Sequence, residues 1–167
     1  VNGARAIGIC GSGSIDAVAE LFRTNIINSR GQLMSGPGVR HNGKEKEFIL
    51  VPGAENGIGE DITITQKDIH AIQLAKAAVR TGIEALLNNA NITSNEIDEV
   101  IITGGFGTYI DPASAIAIGM FPHLQREKFK QVGNAAGIGA RLVLISKSQR
   151  SIAEQISSRV TYVELMQ

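Results

Sequence analysis

Among its 167 residues the sequence has one cysteine, Cys10, no tryptophan and three histidines. One thiol cannot close a disulfide within the chain, and it cannot supply the several thiolates of an iron–sulfur cluster. His41, His70 and His123 are too dispersed for a zinc site of ordinary ligand spacing, so no metal site is expected. Long apolar runs are also missing. Nothing approaches the roughly 18 residues of a membrane span, and no segment has the layout of a signal peptide. A surplus of one charge is absent as well, with 16 basic and 16 acidic side chains and a formal net charge of +0. The most charged short stretch, Lys44-Glu45-Lys46-Glu47, alternates in sign. Nucleic-acid-binding domains carry a basic patch or stripe, so nucleic acid is disfavoured as a partner. The cytoplasm is the default location.

What remains is a globular composition, 43% hydrophobic and 19% charged. A single domain over residues 1–167 is expected. A chain of this size buries roughly 70% of its unfolded surface and needs no staples. The sequence starts at Val1, without methionine and inside ordered-looking residues, which suggests a piece of something longer.

The most informative stretch is Ile97 to Pro112. Val100-Ile101-Ile102-Thr103 reads as a short buried strand. Gly104, Gly105 and Gly107 then leave the backbone bare around Phe106, with freedom to turn. Asp111 can cap the next helix, and Pro112 suits its first position. Open α/β sheets receive ligands at the carboxyl ends of their strands. The competing reading is a tight turn with nothing bound.

A second glycine loop, Gly8 to Ser14, precedes an expected helix capped by Ser12 or Ser14, with Asp16 in its first turn. It does not match a dinucleotide fingerprint, because Asp16 stands where glycine or alanine belongs, and Gly137-Ile138-Gly139 fails in the same way at Leu142. Cys10 reads as a small core residue. Residues 28–43 read as loop or hairpin. With strands at Phe48–Val51 and Asp61–Ile64 they form a small antiparallel excursion whose loops are candidate partner contacts.

Thr65 and Asp68 form a variant capping box for a helix running to about Asn89. Its apolar stripe comprises Ile69, Ile72, Ala75, Val79, Ile83, Leu86 and Ala90. Gln73, Lys76, Arg80 and Glu84 lie on a polar stripe that reads as a solvated face, with His70 a surface residue. Ala71, Ala78, Gly82 and Ala85 offer a small-residue face. Further on come a helix at Ala113–Met120, a strand at Phe129–Val132, a helix capped by Asn134 and running through Leu144, a helix at Arg150–Ser158, and a closing strand at Val160–Leu165. Strands alternating with helices give an α/β class.

Four blocks in order resemble the C-terminal part of the ATP-dependent reductive activators of corrinoid proteins. They are Gly8 to Ala17, Thr65-Gln66-Lys67-Asp68-Ile69 with Gln73 to Ala78, Thr103-Gly104-Gly105-Phe106-Gly107, and Val132-Gly133-Asn134-Ala135-Ala136. The resemblance implies an actin-like (ASKHA, ribonuclease H-like) lobe, a mixed sheet flanked by helices, of which this chain is the later portion of the second lobe. It implies adenosine binding at Gly104, Gly105, Phe106 and Gly107, with Gly133 and Asn134 in the second connecting motif. Gln73 and Lys76 are weaker candidates.

The implied cofactors are ATP with Mg in the intact protein, and a [2Fe–2S] cluster only in a preceding ferredoxin-like domain. The implied partner is a corrinoid protein of an O-demethylase or related methyl-transfer system of anaerobes, whose cob(II)alamin is reduced to cob(I)alamin. A homodimer is a further expectation. The Asp-x-Gly-Thr turns that bind phosphate and magnesium in such ATPases are missing here, and no catalytic residue is assigned to Asp111, Glu60 or any other position. Two alternatives stand beside this reading: a non-catalytic module for docking or dimerisation, and a fragment of a sugar or acyl kinase relative.

Overall fold

The computed structural model describes residues 3–105 and 107–164. Phe106 and Leu165 therefore lie outside the described residues. The chain forms two compact units, one of residues 1–80 and 110–122, the other of residues 81–109 and 123–167.

The first unit holds α1 (Gly11–Arg23), β1 (Val39–Asn42), β2 (Glu45–Val51), β3 (Ile62–Thr65), the first half of α2 (Gln66–Ala90) and α3 (Pro112–Ala117). The expected excursion is a three-stranded antiparallel sheet in the order β1-β2-β3, with Val39 opposite Phe48 and Phe48 opposite Ile64. Its core gathers Ile15, Val18 and Leu21 of α1, Ile27, Leu33, Ile62, Ile64, Ile69 and Ala115, all buried. Each of the Ile, Leu and Val side chains contributes about 1.5–3 kcal/mol on burial.

The capping box is formed as expected. Thr65 N donates to Asp68 Oδ2 at 2.8 Å, and Asp68 N donates to Thr65 Oγ1 at 3.1 Å. The last residue of β3 thus starts α2.

Two expectations at α1 are corrected. The helix starts at Gly11, so its cap is Cys10, whose Sγ accepts from Gly13 N at 3.4 Å, and not Ser12 or Ser14. No acidic residue then falls in its first turn, which leaves Asp16 further inside. Cys10 is exposed and not a core residue. The Ser12 hydroxyl, 3.3 Å from Sγ, together with the Gly13 N–H, lowers its thiol pKa.

The α2 faces are also not as the hydrophobic pattern suggests. Ile69 and Leu87 are buried, but Val79 is 40% and Leu86 58% exposed. The face in line with Ile69 and Leu87 instead carries Gln73, Lys76, Arg80, Ile83 and Glu84, all half-buried. Most of the expected solvated stripe is therefore half-buried, and Gln66, Gln73 and Lys76 on it reach backbone carbonyls. His70 is exposed, as are Ala71 and Ala78 of the small-residue face.

On the sheet, Arg40 Nε donates to Glu47 Oε1 at 2.7 Å, and Nη1 to Asp61 Oδ2 at 2.5 Å. Glu47 has only 5% of its side chain exposed. The Arg40 guanidinium lowers the Glu47 pKa. The Gly53 N–H, and after it Arg40, lowers that of Asp61. A carboxyl pKa depressed in the folded state contributes stability above its unfolded value, and that contribution is lost as pH falls through the folded value. The unfolded values are about 3.9 for Asp and 4.3 for Glu. Thermal melts should therefore hold steady from neutral pH to about pH 5 and drop below about pH 4. Glu47→Gln should lower stability at neutral pH, and its deficit should shrink as acid protonates the wild-type carboxylate. A deficit independent of pH would show that Glu47 acts only through packing.

The second unit contains the remainder of α2, β4 (Val100–Ile102), β5 (Phe129–Gln131), α4 (Ala135–Ile145) and α5 (Lys147–Ser157). β4 and β5 pair in parallel, with Val100 opposite Phe129 and Ile102 opposite Gln131. The α/β class holds, with antiparallel and parallel pairings in two separate sheets among the described residues. The expected buried strand is only partly buried, since Ile102 is 8% and Ile101 59% exposed. Residues 160–164 form no strand. Val160 and Tyr162 are 71% and 84% exposed, so the alternation there marks no buried face. No helix among the described residues is long and apolar enough to cross a membrane.

Candidate functional site

Two glycine turns meet where β4 and β5 end. Beyond Ile102 the pairing continues for one more bond, Val132 N to Ile102 O at 3.0 Å. Gly104 N then donates to Gly133 O at 2.7 Å. The Thr103 hydroxyl lies between the turns, donating to Gly133 O at 3.0 Å and accepting from Ala135 N at 3.2 Å. Both turns need left-handed backbone, with φ +97 at Gly104 and φ +64 at Gly133, which glycine adopts without Cβ strain.

Gly105 is exposed, and an added Cβ would meet nothing within 4 Å. Gly107 is different. It is buried, its Cβ would fall 2.8 Å from Ile102 Cγ2, and its carbonyl accepts from Gln131 Nε2 at 3.0 Å. Gly104 and Gly105 are thus the open rim, and Gly107 is the packed base.

Asn134 caps α4, its Oδ1 accepting from Gly137 N at 3.0 Å. Its side chain is committed to the helix, which leaves it a positioning role for the turn. Asp111 is likewise committed: it caps α3 by accepting from Ala113 N at 3.3 Å, with Ser114 Oγ also at 3.3 Å.

Gln73 and Lys76 belong to the first unit. Gln73 Nε2 donates to Arg30 O at 3.1 Å, and Lys76 Nζ to Ile118 O at 2.6 Å. They line a cavity of about 80 Å³ with Val18, Phe22, Ile69 and Ile72. Small-molecule sites usually span roughly 300–1,000 Å³, so this cavity is too small for a nucleoside. Of the residues singled out in the sequence, Gly104, Gly105, Gly107, Gly133 and Asn134 are brought together.

Sequence reasoning missed Thr103 and Gln131. Thr103 was legible as the first residue of its glycine block, but its β-branched side chain assigned it to the strand. The sequence gives Asp16 no binding role, yet its Oδ1 is buried with no hydrogen-bond partner among the described residues. Chemically, the paired turns offer bare backbone at Gly104 and Gly105, while the Gly104 and Ala135 N–H groups are engaged within the junction. Among the described residues no group of three or more His, Cys, Asp and Glu side chains could hold a metal ion. One cysteine does not fit a [2Fe–2S] cluster.

The family model described as the C-terminal domain of RACo, the ASKHA domain, matches residues 1–167. The chain belongs to this family. As a RACo C-terminal domain it is 41% identical over 169 residues to the corrinoid activation enzyme RamQ of Eubacterium limosum, covering 95% of this chain and 28% of that protein. It is 27% identical over 164 residues to the [Co(II) methylated amine-specific corrinoid protein] reductase of Methanosarcina barkeri, covering 98% of this chain and 27% of that protein. Among solved structures it is similar to a reductive activator for corrinoid, iron–sulfur protein. The TM-score is 0.90 at 38% identity, over 98% of this chain and 27% of the other. The chain thus spans little more than a quarter of the relatives it matches. Their likeness bears out the ASKHA fold and the corrinoid-activator resemblance.

Proposed function

We propose that this chain is the adenosine-binding portion of an ATP-dependent activator that reduces cob(II)alamin to cob(I)alamin on a corrinoid protein. The observation that carries the reading is the junction of Gly104-Gly105 with Gly133 at the carboxyl ends of two parallel strands, joined by the 2.7 Å bond from Gly104 N to Gly133 O. An adenosine would lie against the bare backbone at Gly104 and Gly105, with Phe106 and Gly107 completing the loop. Thr103 and Asn134 would hold the two turns in register. Gln73 and Lys76 belong to the first unit, where they hold the Arg30 and Ile118 carbonyls, and have no part in this reading. ATP with Mg would supply phosphoryl chemistry and a [2Fe–2S] cluster the electron, and one cysteine in the chain does not make the ligand set of such a cluster.

Membership in a larger lobe has its own support. α4 contains one charged residue, Arg141, and buries none of its side chains. Leu144 and Ile145 are 75% and 74% exposed. An apolar helix of this kind needs cover from more protein.

The test is the corrinoid absorbance spectrum. The intact protein, given ATP and a low-potential reductant, should convert cob(II)alamin on its corrinoid partner to cob(I)alamin. The 167-residue chain alone should hydrolyse little ATP, because phosphoryl transfer rests on positioned cations and metal. ATP turnover by the isolated chain equal to that of the intact protein would contradict the assignment of phosphate chemistry to other segments.

A further inference from the structure

The first unit carries a feature that the glycine turns do not use. Loop 30–33 is clamped from two sides. Gln66 donates Nε2 to Gly31 O at 2.7 Å and accepts from Leu33 N at 2.8 Å. Gln73 holds Arg30 O, and Lys46 of β2 donates to Leu33 O at 3.1 Å. The clamp forms the floor of two grooves, of about 530 and 660 Å³, that adjoin by sharing Lys46 and Gln66.

Charge is segregated along these grooves. Arg30, Lys44, Lys46 and Lys67 line them, together with His41 and His70. The one carboxylate in the linings, Glu45, is already engaged, 3.3 Å from Lys67 Nζ and accepting from Lys67 N at 3.1 Å. Arg30 and Lys44 are exposed and have no carboxylate partner among the described residues. The whole chain balances 16 basic with 16 acidic side chains, so this concentration is local. Neither lining includes a Phe, Tyr or Trp side chain, the large aromatic platforms on which single-stranded nucleic acid stacks.

We infer that this groove docks an acidic, extended segment of a protein partner. A floor already fixed by Gln66, Gln73 and Lys46 needs little ordering on binding. The cations around it supply charge complementarity, which steers encounter and suppresses wrong partners. The inference does not depend on the nucleotide reading, because the clamp and the cations all lie within residues 30–73.

The test uses the intact protein and a fluorescein-labelled polyglutamate peptide, followed by anisotropy at low salt. Binding is expected, and it should vanish at about 1 M salt, where the Debye length is about 3 Å. The double variant Arg30→Glu/Lys44→Glu should weaken binding by about tenfold or more, since like charges then face the peptide. Arg30→Gln/Lys44→Gln should lose less, and it stands in if the reversal lowers the melting temperature. Three results would overturn the inference: no polyglutamate binding at low salt, unchanged binding by a folded charge-reversed protein, or an oligothymidylate that binds more tightly and displaces the peptide. The last would make the groove a nucleic-acid surface.

Discussion

Gly105→Val should cut the adenine-nucleotide affinity of the intact protein by about tenfold or more, about 1.4 kcal/mol, and leave its melting temperature close to wild type. From the sequence, that substitution mixes two effects, because a valine could both block the nucleotide and strain a left-handed backbone. The structure separates them. The left-handed conformation sits at Gly104, with φ +97, whereas Gly105 has no such φ and no atom within 4 Å of an added Cβ. A valine at 105 therefore meets only what binds there. Gly104→Ala should cost folding about 1–3 kcal/mol through backbone strain. Gly107→Ala should destabilise through its 2.8 Å approach to Ile102 Cγ2. Gly13→Val, beside ordinary 3.4 Å neighbours at Cys10 and Ile9, should leave nucleotide binding unchanged. Calorimetric titration and thermal melts on the same four proteins check the pattern. A folded Gly105→Val protein that binds ATP like wild type would mean that the loop is only a turn, and the docking-module alternative would lead.

The second large effect is expected far from the glycine turns, at Gly53→Ala. A Cβ on Gly53 would fall 2.6 Å from the Gly59 carbonyl oxygen and 2.9 Å from its carbon. Those are backbone atoms and cannot swing aside. The loop is fixed from within, as Asn56 Oδ1 accepts from Ile58 N at 3.0 Å and Gly59 N at 2.9 Å, while its Nδ2 donates to Glu60 O at 2.5 Å. Gly53 N also donates to Asp61 Oδ1 at 2.7 Å. Relieving the clash must break part of this set, which places the cost at about 1–3 kcal/mol, as for overpacked sites. Denaturant titration with unchanged slope and a lower midpoint is the expected result. A midpoint equal to wild type would show that the loop re-forms without those bonds.

Much of this was legible because local chemistry decided it. Thr65 and Asp68 make their capping box, Asp111 and Pro112 start α3, and Asn134 starts α4 as the residue types dictate. The parallel pairing that joins Gly104 to Gly133 was not legible, because strand partners 29 residues apart leave no local mark on composition. The faces of α2 failed for a related reason. A hydrophobic stripe reports burial only when apolar contacts supply the packing, and here Gln73 and Lys76 reach backbone carbonyls instead. Cys10 was misassigned because a thiol can cap a helix as a weak acceptor, a role its usual burial obscures. The alternation at Val160–Leu165 predicts a strand, and residues 160–164 pair with none among the described residues.

Adenosine on the backbone of the paired turns is best checked by amide NMR on the isotope-labelled intact protein. Titration with ATP should perturb the amides of Gly104, Gly105, Gly107 and Gly133, and saturate with the calorimetric affinity. The same titration on Gly105→Val should leave those amides nearly still. Saturable ATP binding that shifts other amides and leaves these four in place would place the adenosine elsewhere.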